Sequence, residues 1–246
     1  MINILLNLTN FHEAFAFRKL RHFIKRRHNV LIIPLAYHED FVDNGDEFAA
    51  HFVKGQPEID CIVDAFAKFK IPSKQIKVLN YYSDTPETIA NKFKRADILF
   101  FPGGYPDKAM YRIDKYNLRE LIKSFDGIVM GASAGAMIQF DHFHVTPEED
   151  GQTFGYCDGL GLLSGFDIEV HYRERIEQVD GVLTDLTKRG LPICIMHDNS
   201  GLIVKNDKRL IIGDAFWVDK DDIDVFQFIS EDRHQMEAAR REKTKS

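Results

Sequence analysis

The chain has 246 residues, 44% of them hydrophobic, which is enough for one large α/β domain or two small ones with a proper core. A net charge of −6 and a pI near 5.9 leave no electrostatic footprint for nucleic acid. The three cysteines, Cys61, Cys157 and Cys194, are odd in number and far apart, which argues against a disulfide framework and for a reducing, cytoplasmic setting.

Met1–Leu8 lacks a basic flank, a long apolar core and a small-residue cleavage site, so it reads as a first strand rather than a signal peptide. No apolar run approaches the roughly 20 residues of a membrane helix. From Ile4–Leu8 onward, strand-like runs alternate with amphipathic stretches. A helix is expected over Ala14–Arg27, a strand over Asn29–Leu35, and mostly helix over Glu47–Phe69 with a break at Gly55-Gln56-Pro57. Ile76–Leu79 reads as a strand, Pro86–Lys94 as a helix, and Ile98–Phe101 as a strand ending at Pro102-Gly103-Gly104. Arg119–Ser124 closes another helix before the apolar run Ile128-Val129-Met130. This alternation predicts an α/β fold: a doubly wound, mainly parallel sheet with helices on both faces, and a site beyond the carboxyl ends of its strands.

Past residue 141 the texture changes. His142–Tyr156 is polar and loop-like, and Phe166–Val170 reads as a strand ending at His171. A helix near Gly181–Lys188 follows, then short strands at Ile193–Met196, Leu202–Val204, Leu210–Ile212 and Phe216–Val218. One domain over residues 1–230 is the simplest division, with Glu231–Ser246 a charged tail or frayed surface helix.

The most informative segment is Gly131-Ala132-Ser133-Ala134-Gly135-Ala136. A serine flanked by glycines, after a strand and before a helix, fits a nucleophile elbow, in which small neighbours permit the tight turn that lifts the hydroxyl clear of the sheet. The alternative is a structural tight turn. A serine needs a base, and a histidine suits that task near neutral pH. Of ten histidines, His171 and His197 both follow strands and could reach the carboxyl edge; position favours His171, 38 residues after Ser133. His142 and His144 could form a metal pair, but no third ligand at sensible spacing supports one, and exposed loop histidines are the simpler reading.

Phe100-Phe101-Pro102-Gly103-Gly104, the Ser133 elbow, and Gly159-Leu160-Gly161-Leu162-Leu163 leading to Val170-His171-Tyr172 together resemble the dipeptidase E and cyanophycinase family of serine peptidases. The resemblance implies a class I glutamine amidotransferase-like fold and a mechanism without cofactor or metal. It implies Ser133 as nucleophile, His171 as base, and the backbone amides of Ala134 and Gly104 as an oxyanion hole. The family's acid follows the serine by some fifteen to eighteen residues, a window holding Glu148, Glu149 and Asp150, with Glu148 ranked first and Glu149 second. Serine at the elbow, and Tyr172-Arg173 where amidotransferases carry a His-x-Glu pair, argue against glutaminase activity. The implied substrate is a small peptide, with aspartate at the N-terminus or in a β-aspartyl linkage. Arg173 and Arg175 could pair a substrate carboxylate or be plain surface charge. A non-peptidase serine hydrolase and a catalytically idle binding protein remain alternatives, and monomer and dimer are both open.

Overall fold

Five short apolar runs become parallel strands lying side by side. They are β1 (Ile2–Leu6), β2 (Val30–Ile32), β3 (Ile76–Val78), β4 (Ile98–Phe101) and β5 (Ile128–Ala132), in spatial order β1-β5-β4-β2-β3. The computed structural model describes residues 1–147 and 154–243. Alternate residues of β1, β2, β4 and β5 feed two separate cores. Ile4, Leu6, Phe100 and Met130 meet Leu20, Ile59, Ile62 and Phe66 on one face. Leu5, Leu99, Phe101 and Val129 meet Phe48, Ile89, Phe93 and Ile113 on the other. Burial on both faces is why these strands are almost uninterruptedly apolar. Each fully buried side chain of this size contributes about 1.5–3 kcal/mol.

The covering helices are α1 (Ala14–Leu20), α2 (Gly45–His51), α3 (Pro57–Lys68), α4 (Pro86–Arg95), α5 (Pro106–Lys115) and α6 (Arg119–Lys123). Their starts are chemically marked: α3, α4 and α5 each carry proline in the first turn, and the side chains of Asn44 and Thr85 cap α2 and α4. Helix α6 lies where Arg119–Ser124 was expected to close a helix, and it is parted from α5 by a turn in which Asn117 has φ 54°. Helix α1 stops at Leu20, short of Arg27.

The second half departs further from expectation. After α7 (Ala134–Met137), the supposed loop His142–Tyr156 contains strand β6 (His142–Val145), which pairs antiparallel with β7 (Gly155–Asp158). The four short strands expected at the end are two long ones, β9 (Ile193–Lys205) and β10 (Lys208–Val218), paired antiparallel with an irregularity between Gly213 and Ala215. Helix α8 (Ile176–Arg189) packs against α9 (Ile223–Lys243) through an apolar cluster that includes Val179, Val182, Leu186 and Phe226. No helix among the described residues is long and apolar enough to cross a membrane.

The edge of β9 facing the parallel strands positions the site. Strand β8 (Asp167–Glu169) runs parallel to Ile193–Ile195, whereas β1 runs antiparallel to Gly201–Val204. The carboxyl ends of β8 and β1 therefore point at one another along a single neighbour, and His171 and Asn7 meet in the gap.

The elbow after β5 requires glycine. A Cβ on Gly131 would lie 1.8 Å from the Gly135 carbonyl oxygen, and one on Gly135 would lie 2.0 Å from the Phe101 carbonyl oxygen. Gly135→Ala is expected to lower stability by about 3 kcal/mol, read as the urea unfolding midpoint. Gly155→Ala, whose added carbon meets nothing within 4 Å, should stay within about 0.5 kcal/mol of wild type.

Candidate active site

Ser133 stands between the last residue of β5 and the first of α7, with φ 51° and ψ −120°. That conformation is costly for a residue with a side chain, by about 1–3 kcal/mol, and persists only where the surroundings dictate it. Here they do. The Ser133 N–H donates to the Leu6 carbonyl at 2.9 Å, and the Ser133 carbonyl accepts from Ala136 at 2.8 Å. The side chain is thereby directed out of the helix turn, where its Oγ lies 2.8 Å from His171 Nε2. A hydroxyl in such contact with an imidazole can pass its proton as it attacks an electrophile.

His171 itself has φ 54°, and it is only partly buried. Its N–H donates to Asn7 Oδ1 at 2.7 Å, and its carbonyl accepts from Gln178 Nε2 at 2.9 Å. Neither amide was picked out from the sequence. The available signal was an asparagine directly after the apolar run of β1, at the carboxyl end where sites form.

The turn after β4 closes the other side. Gly104 has φ 132°, and a Cβ there would sit 1.9 Å from the Ala36 carbonyl oxygen; that same oxygen accepts the Tyr105 N–H at 2.7 Å. Gly103 lies against the serine, since its Cβ would be 3.1 Å from Ser133 Cβ. Among the described residues, the N–H groups of Gly104 and Ala134 donate to no backbone carbonyl.

His197 is directed elsewhere: its ring contacts Tyr172 and Phe216, and its Nδ1 is 3.6 Å from Asp214. Arg173 forms an ion pair with Asp198, and both side chains are about half exposed. Arg175 is exposed, directly before α8. Glu148, Glu149 and Asp150 lie outside the described residues. Cys194 is buried, and that burial pushes its thiol up to about 12, so it is no thiolate at neutral pH.

The reading of His142 and His144 as two exposed loop histidines is half wrong. His142 is exposed, but His144 is 1% exposed and bonds to two acids, with Nδ1 2.8 Å from Asp167 and Nε2 2.6 Å from Glu169. The strand alternation that points Phe143 into one core turns His144 under Phe154, towards β8 and α8. His144, Asp167 and Asp185 could together offer three ligand atoms to a metal ion. The Arg189 guanidinium already bridges Asp167 and Asp185, so a cation occupies that place. Burial alone would depress the His144 pKa, but Asp167 and Glu169 outweigh it and hold it well above 6.5. Burial would likewise raise Asp167, but His144 and Arg189 hold it below its usual value.

Because the folded pKa of His144 is raised, its protonation stabilises the fold fully below about 6.5, and that stabilisation is lost as pH climbs through the folded value. The difference in urea stability between wild type and His144→Gln should thus be constant across the mildly acidic range and shrink under alkaline conditions. A difference that grew with rising pH would contradict a protonated, ion-paired His144.

Comparison with known proteins bears on this geometry directly. The sequence model of peptidase family S51 matches residues 8–212, which span the elbow, the Gly103-Gly104 turn and His171. No curated protein matches the chain. Among solved structures, a protein of Listeria monocytogenes EGD-e described as a candidate peptidase E is similar, with a TM-score of 0.60 at 14% identity, covering 85% of this chain and 96% of that one. A peptidase from an acI-B1 Actinobacterium has a TM-score of 0.61 at 15% identity, covering 89% and 93%. At such identities these two likenesses are of fold. The family match over most of the chain goes further: this protein belongs to peptidase family S51, the dipeptidase E family, and is a serine-type peptidase.

Proposed function

We propose that the enzyme hydrolyses small peptides through an acyl-enzyme, with Ser133 as nucleophile, His171 as base and Glu148 as the carboxylate that orients the imidazole. The observation that carries this reading is the 2.8 Å contact between Ser133 Oγ and His171 Nε2 beside two undonated backbone amides. In the first step Oγ attacks the scissile carbonyl carbon while its proton passes to Nε2. The Gly104 and Ala134 amides receive the resulting oxyanion, and a single such donor is worth about 3–4 kcal/mol of barrier. As the tetrahedral species collapses, the C–N bond breaks and the imidazolium protonates the leaving amine. Water, deprotonated by His171, then attacks the ester and releases the acid.

Substrates with an acidic N-terminal residue fit the family resemblance. Arg173, two positions beyond the base and paired with Asp198 at the surface, is the guanidinium that a substrate carboxylate would take over. Arg175 is the second candidate. Three free cysteines suit a cytoplasmic setting.

Ser133→Ala and His171→Ala should each remove nearly all turnover on a dipeptide panel, and the double variant should be little worse, because groups acting in one step are non-additive. Losses that multiply would argue against a shared step. Glu148→Gln should cost on the order of a thousand-fold in kcat with KM nearly unchanged, while Glu149→Gln and Asp150→Asn stay close to wild type. Equal mild effects at all three would mean that another group orients the histidine. Arg173→Met should raise KM for Asp-X dipeptides about ten-fold or more relative to Ala-X dipeptides; no change in that ratio would remove Arg173 from the subsite.

A further inference from the structure

Three successive backbone donors of the turn that carries His171 are each held by a different part of the fold. The His171 N–H goes to Asn7 Oδ1 at the end of β1. The Tyr172 N–H goes to the Met196 carbonyl in β9 at 3.1 Å. The Arg173 N–H goes to Gln178 Oε1 on α8 at 2.8 Å. Gln178 also returns a bond from Nε2 to the His171 carbonyl at 2.9 Å, so one side chain spans the turn from 171 to 173. Asn7 and Gln178 are 0% and 1% exposed, which shields these bonds from competition by water.

Two details make this more than ordinary satisfaction of buried polar groups. First, the clamped residue is a histidine at φ 54°, a conformation that needs outside support. Second, Asn7 is a poor choice for stability alone. Its Nδ2 is buried with no hydrogen-bond partner among the described residues, and such an orphan donor is destabilising. A group that carries this cost beside a reactive centre calls for an explanation. Neighbouring Leu6 supplies one: its carbonyl accepts the Ser133 N–H. The last residue of β1 and the residue directly after it thus hold the backbones of the serine and of the histidine at a fixed separation.

We propose that Asn7 and Gln178 are positioning residues for the hydrolytic reaction: a pair of buried amides that fixes the His171 peptide, and so the imidazole, against Ser133. The proposal rests on the roles given above to Ser133 and His171. Neither amide touches substrate. Each acts through the histidine backbone, so its loss should reduce the fraction of enzyme in reactive alignment and leave substrate binding largely intact.

The test is steady-state kinetics of the full-length enzyme on its best dipeptide, with folding followed by circular dichroism and thermal melting. Asn7→Leu and Gln178→Leu should each lower kcat by about 10- to 100-fold, the range expected for a misplacement near 1 Å, with KM within about three-fold. The double variant should fall well short of the product of the two losses, because both amides hold one peptide. Asn7→Asp keeps the acceptor for the His171 N–H and should recover kcat to within about five-fold of wild type. Wild-type kcat in a folded Asn7→Leu overturns the proposal, as does an Asn7→Asp no better than Asn7→Leu. If Asn7→Leu does not fold, wild-type kcat in Gln178→Leu overturns it, and loss of fold in both does so as well, because the amides would then be holding the domain and not the turn. His171→Ala, measured in parallel, separates the two levels. Full activity there removes the base itself, whereas an inactive His171→Ala beside a normal Asn7→Leu removes only the clamp.

Discussion

Ser133 keeps a left-handed backbone because the sheet beneath it allows nothing else. Its N–H is fixed to Leu6 on one neighbouring strand, and the helix that follows is pressed so closely on β4 that Gly135 has no room for a methyl group beside the Phe101 carbonyl. The close approach of α7 to β4 and β5 explains the glycines at 131 and 135. It also explains why the hydroxyl leaves the turn towards the carboxyl edge of the sheet. The strain, about 1–3 kcal/mol, is carried by a fully buried apolar core on both faces.

A purely parallel sheet would deliver the serine but no partner for it at this place. The partner comes from the change of direction at β9. Strand β8 joins one end of β9 in parallel, and β1 joins the other end antiparallel, so two carboxyl ends converge on the stretch around His197–Ser200. His171 leaves β8 at that point and falls against Asn7. Beneath it, the ion-paired set of His144, Asp167, Glu169, Asp185 and Arg189 joins β6, β8 and α8. That set ties the strand leading into the histidine to the helix leading away from it.

Much of this was legible in the sequence, for identifiable reasons. Strands buried on both faces show as continuous apolar runs, which is why β1, β4 and β5 stand out with the elbow beside them. Features that depend on distant partners did not show. His142–Val145 is half polar, and it reads as a loop until Asp167 and Glu169, more than twenty residues away, explain the burial of His144. The breaks that divided β9 and β10 into four are the polar run His197–Ser200, where β9 exchanges one neighbour for another, and the irregularity at Gly213–Ala215. Gln178 carries no local signature, because its partners are backbone groups of the turn before its helix, and Asn7 shows only as an asparagine directly after the apolar run of β1. Glu148, Glu149 and Asp150 are candidates for the acid only through the spacing that the family resemblance implies.

The central claim is that Ser133 is the group that becomes acylated. Treating the intact enzyme with a fluorophosphonate and mapping the adduct by mass spectrometry after proteolysis tests it most directly. One adduct is expected, on the peptide containing Ser133, at one label per chain and absent from His171→Ala. An adduct on a different serine, or none on a folded enzyme that still cleaves dipeptides, would contradict the account.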